Sequence, residues 1–139
     1  MSVIPAGFRE VAHTADWELK IWGPDLSALL EQAARGMYTL SGIAVDRERL
    51  IEQELHVEGL DGESLLVAFL NELLYLAENE ALAFERFEFI LTDFNLHARM
   101  TGGKILSQSK EVKAVTYHNL EIQPGADGNG LTANIVLDV

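Results

Sequence analysis

The sequence predicts an α+β domain, with two helices packed on one face of a mostly antiparallel sheet of about six or seven strands. Two patterns carry that expectation. Leu26, Leu29, Leu30, Ala33 and Met37, and again Leu65, Leu66, Phe69, Leu70, Leu73, Leu74 and Leu76, recur at helical spacing. Between and after them, short segments alternate apolar and polar residues with the two-residue period of strands, separated by brief turn-forming stretches.

Residues 8–12 and 17–22 read as two extended segments, broken by a turn or bulge at His13-Thr14-Ala15-Asp16. In the second, Trp17, Leu19 and Ile21 alternate with Glu18, Lys20 and Trp22. The two tryptophans therefore take opposite faces, one toward the core and the other available for docking. Gly23-Pro24 punctuates the chain, and Asp25 is placed to accept from the free backbone donors of the first helix, which should end near Ser41-Gly42. Residues 51–57 alternate as a half-exposed strand until Gly59-Leu60-Asp61-Gly62. The second helix takes its capping oxygens from Asp61 to Ser64, and its wide apolar arc requires deep burial.

The remainder has strand character. Phe87, Phe89 and Leu91 alternate, residues 96–100 continue, and Thr101-Gly102-Gly103 reads as a turn. Residues 112–122 and 131–139 are expected to be the last two strands. The loop at 124–130 is rich in turn formers; it lacks the alternating acids and terminal bidentate glutamate of a calcium-binding EF-hand loop.

A chain of 139 residues suits a single domain spanning its whole length. With 48% hydrophobic and 23% charged residues it should fold unaided, and without cysteine it can form neither disulfides nor thiolate metal sites. No apolar run approaches the roughly 20 residues needed to cross a bilayer, and the start lacks a basic-then-apolar leader, so a cytoplasmic location is expected. The net charge of -12 repels phosphate backbones and disfavours strong direct nucleic-acid binding. It suits a protein that holds cations or docks on a basic partner, and it equally suits simple solubility.

The sequence has no nucleophile elbow, P-loop, dinucleotide fingerprint or HExxH pair, so it is not expected to be an enzyme. Asp138 is the anomaly. It follows a segment, residues 133–137, that reads as a buried strand, and the α-carboxylate of Val139 stands beside its own. Two such anions repel unless a cation lies between them, and a hard divalent ion or a lysine would serve. Asp16 reads equally well as a turn former. Lys113 alternates with Val115 and Tyr117, which would put it on their side of a strand; it reads equally as an edge lysine that discourages aggregation. His13 and His118 neighbour these polar residues, while no two histidines have the short spacing of a zinc pair.

His13-Thr14-Ala15-Asp16, residues 33–37 (AARGM), residues 70–75 (LNELLY), residues 112–118 (VKAVTYH) and the closing Val136-Leu137-Asp138-Val139, in that order, resemble the archease family. The resemblance runs from Gly7 to Val139, with departures at Trp17, where a smaller residue is more usual, and near Leu131, where an aromatic often opens the last strand. It implies an α+β fold and a role as activator of an RtcB-type RNA-splicing ligase in tRNA splicing or RNA repair, accelerating guanylylation and turnover. It further implies a divalent-metal site, calcium foremost with magnesium or manganese as substitutes, formed by Asp16, Asp138 and Val139. His13, Lys113 and His118 would contact the partner or its phosphates. The alternative is a chaperone-like adaptor that acts by binding alone, its metal purely structural.

Overall fold

The structure, a computed structural model, describes residues 4–11, 17–126 and 128–139. Asp25 accepts a hydrogen bond from the Ala28 backbone N–H at 2.9 Å and starts α1 (Leu26–Ser41), whose end is closed by Gly42 at φ 65°. Asp61 accepts from the Ser64 backbone at 2.7 Å, and the Ser64 hydroxyl accepts from the Asp61 backbone at 3.1 Å. This reciprocal box starts α2 (Gly62–Glu80) and holds the Asp61 carboxyl below the usual carboxylate range.

Among the described residues nine strands surround the helices. They are β1 (Gly7–Val11), β2 (Trp17–Gly23), β3 (Ala44–Val45), β4 (Ile51–Glu58), β5 (Leu82–Thr92), β6 (Asn95–Ser107), β7 (Ala114–Thr116), β8 (Gln123–Pro124) and β9 (Leu131–Asp138). All pairings are antiparallel, which bears out the α+β class. The strands divide between two sheets, a finer arrangement than one sheet of about six or seven strands. One follows the order β1-β2-β9-β7, with β8 also on β9; in the other, β6 pairs with β3, β4 and β5. Both sheets turn apolar rows inward, with Leu19, Ile21, Ala133, Ile135 and Leu137 from the first and Leu96, Ala98 and Met100 from the second. One continuous core joins them to both helices, around Phe69, whose ring meets Phe89 edge-on at 5.5 Å.

Two expectations are corrected. Thr101-Gly102-Gly103 is no turn, since β6 runs straight through it. A Cβ on Gly102 would stand 2.0 Å from the Ala83 carbonyl oxygen, and one on Gly103 would stand 2.2 Å from that of Asp46, so these glycines admit neighbouring backbone. Residues 112–122 do not form one strand either. The chain pairs only over Ala114–Thr116, then turns, with Asn119 at φ 54° and the Leu120 N–H bonded to the Tyr117 carbonyl at 3.0 Å. The side-chain amide of an asparagine makes that left-handed conformation accessible.

Candidate functional site

Asp138 ends β9, opposite Ala114 of β7. Its side chain is exposed, while Leu137 beside it is fully buried, so the strand period sends the carboxylate away from the core. Its backbone carbonyl accepts from the Lys113 N–H at 2.7 Å, and Val139 packs half-buried against the core. The C-terminal segment is thereby fixed from both sides. On the other flank of β9, Trp17, the first residue of β2, pairs with Leu137, the residue before Asp138. His13 and Asp16 themselves lie outside the described residues.

Lys113 is exposed immediately before β7, whereas Val115 is buried, so the two do not share a side. The reason is that the expected long strand begins only at Ala114. His118 is exposed; its backbone N–H bonds the Thr116 hydroxyl at 3.3 Å and its Nε2 lies 3.2 Å from the Asn119 amide. Trp17 takes the inward side with Leu19 and Ile21, though half-buried, and Trp22 takes the outer one. Among the described residues no group of three or more histidine, aspartate and glutamate side chains converges as a metal site.

Two further residues shape this end of the sheet. The Asn71 side chain on α2 grips Val115 twice, its Oδ1 accepting from the backbone N–H at 3.1 Å and its amide donating to the carbonyl at 3.5 Å. The short edge strand that pairs with Asp138 is thus tied to the core helix. Asn71→Leu should leave both Val115 groups unpaired and cost about 1–3 kcal/mol. Thermal unfolding would read the loss, together with faster amide exchange at Val115. The Lys110 ammonium, for its part, sits 5.1 Å above the Trp17 ring and brings a cation to the β2 edge of this region. Neither contact has a local sequence signal, because each joins segments far apart in the chain.

These features define a small α+β protein of two sheets and two helices that presents the exposed Asp138 side chain at the end of β9, beside the β2–β9 pair. The sequence pattern of the archease protein family (MTH1598/TM1083) matches residues 8–139, and the chain belongs to that family. It is 33% identical to the protein archease of Pyrococcus furiosus over 142 residues, covering 91% of this chain and 94% of that one. The crystal structure of an archease, described as a possible chaperone, from Thermotoga maritima superimposes with a TM-score of 0.71 at 26% identity, covering 94% and 96% of the two chains. The solution structure of protein 1598 from Methanobacterium thermoautotrophicum gives 0.67 at 28% identity, covering 96% and 99%.

Proposed function

We propose that this protein activates an RtcB-type RNA ligase, and that a divalent cation, calcium foremost, is held by Asp16, Asp138 and the main-chain oxygens of Val139. The observation that supports this most is the β2–β9 register. Trp17 faces Leu137, so the residue that follows Asp16 in the sequence and the residue that precedes Asp138 are directly opposed. The donor chemistry fits as well. Two carboxylates and main-chain oxygen are hard ligands of the kind calcium and magnesium prefer, and three residues leave coordination positions for water or a partner's phosphate. When bound, such an ion would supply positive charge toward a triphosphate undergoing nucleotidyl transfer.

The protein's own residues would do the rest. Asn71 and the Lys113 N–H hold β7 and the end of β9 in place. Lys113 and His118, both exposed nearby, are candidates to meet the partner or its phosphates, together with His13. Stimulation of ligase guanylylation is expected to disappear in Asp16→Ala and in Asp138→Ala while the circular dichroism spectrum stays that of the parent. Full stimulation by both variants would sink the metal-dependent reading and leave an adaptor that acts by binding alone.

A further inference from the structure

The outer face of the first sheet carries a second feature at the opposite end of β2 from Asp138, a cleft of about 720 Å³. That volume is within the range of small-ligand sites. Arg9, Lys20 and Trp22 line it from β1 and β2, and Gln123, Asn129 and Thr132 from the other side. Thr132 and Asp138 are six positions apart along β9, roughly 20 Å of strand, so the two sites are distinct.

The charge of this cleft opposes that of the molecule. The chain has 22 acidic and ten basic residues, yet no carboxylate is among the described residues lining the cleft, while two of the basic ones are. Arg9 and Lys20 are also directly opposed in the β1–β2 ladder, a like-charge pairing that costs stability. Neither is in an ion pair among the described residues. Elsewhere Arg35 meets Glu31 at 3.1 Å, Arg47 meets Glu85 at 2.7 Å and Arg99 meets Glu52 at 3.3 Å. The nearest acid on the same face of β2, Glu18, is bonded to the Asn134 amide at 3.1 Å.

Beside the cations stands a fixed aromatic. The Trp22 indole lies so close to the Gly7 backbone that a Cβ there would be 2.6 Å from Cζ2, and only glycine admits it. Held from beneath and half-exposed, the indole is a stacking platform next to two positive charges.

We infer that this cleft binds a free nucleoside monophosphate, with the phosphate against Arg9 and Lys20 and the base against Trp22. A phosphate monoester bears close to two negative charges at neutral pH, which the two cations match. Each further phosphate of an RNA strand would run onto a surface whose net charge is -12, so a single nucleotide is favoured over a strand. No residue of the cleft belongs to the proposed cation site around Asp138, and binding here neither requires a ligase nor depends on stimulating one.

The test uses Trp17→Phe, which leaves Trp22 as the single tryptophan reporter. AMP and GMP should quench its fluorescence saturably, with affinity that falls as salt rises. Calorimetry on the unsubstituted protein repeats the measurement should the Trp17 change perturb folding. Arg9→Gln together with Lys20→Gln should weaken binding by at least about tenfold, at a melting temperature no lower than the parent's because the like-charge pairing is relieved. Inorganic phosphate, lacking the base, should bind roughly tenfold more weakly than either nucleotide. The inference is overturned by the absence of saturable binding, by undiminished affinity in the double variant, or by phosphate binding as well as nucleotide. Tighter binding of a short single-stranded RNA would overturn the assignment to a free nucleotide.

Discussion

Gly102→Ala is expected to lower the melting temperature by more than about 10 °C. Gly102 lies mid-strand in β6, flanked by Ile51 of β4 and Phe84 of β5, and β5 carries a register shift between Phe84 and Arg86. At that bulge the partner strand bends inward, leaving the Ala83 carbonyl oxygen 2.0 Å and the Phe84 Cα 2.6 Å from where a Cβ would be. Both obstacles are backbone, held by ladder hydrogen bonds, and no side-chain rotamer can relieve the overlap. Overpacking typically costs about 1–3 kcal/mol, and the upper end or beyond is expected where, as here, only backbone can give way. Gly128 supplies the control, because a Cβ there meets nothing within 4 Å and only its φ of +79° resists substitution. Gly128→Ala should therefore cost about 1–2 kcal/mol, the left-handed penalty alone. Thermal unfolding by circular dichroism checks both, and equal losses in the two variants would rule out the close approach.

The same glycine shows where the sequence is legible and where it is not. Thr101-Gly102-Gly103 has the composition of a turn, and nothing local distinguishes a glycine chosen for φ freedom from one chosen to admit another strand. That second reason is tertiary, set by a bulge in β5 and, for Gly103, by the Asp46 carbonyl. Helix boundaries depend on neighbours three residues away. Asp25, Asp61 with Ser64, and Gly42 accordingly behave as the sequence suggests. The division into two sheets was out of reach because partner choice along β6 and β9 is settled by long-range packing.

The candidate site divides along the same line. Asp138 stood out because its anomaly is local, a carboxylate closing a buried strand. Its relation to β2 is not local, and only the pairing of Trp17 with Leu137 supplies it. Lys110 over Trp17 and Asn71 on Val115 left no mark on the sequence for that reason. His56 and His97 are a further case: distant in the chain, they are direct cross-strand neighbours with ring centroids 6.4 Å apart on an exposed face. Arg9 and Lys20 were anonymous basic residues until the β1–β2 register set them opposite each other.

Calcium at about a hundredfold its dissociation constant is expected to raise the melting temperature by roughly 5–10 °C, with no ligase present. An ion that binds the folded chain alone stabilises it by about 2.7 kcal/mol at that concentration, and a chain of this size gains a few degrees per kcal/mol. Magnesium should shift the transition less, because it demands near-octahedral geometry and gives up water reluctantly, whereas calcium accepts a looser oxygen cage. Without added metal, Asp138→Ala should melt within a few degrees of the parent, since its side chain is exposed and such surface changes seldom exceed about 0.5 kcal/mol. With calcium, both Asp138→Ala and Asp16→Ala should lose the upward shift. The pairing of these measurements separates the two readings of the site. If calcium stabilises the parent and both variants lose stabilisation and ligase stimulation together, the cation acts in activation. If the variants lose the calcium shift yet still stimulate fully, the cation only fastens the end of β9 and the protein works as an adaptor. A parent whose melting temperature ignores both cations at millimolar concentration would remove the metal site altogether.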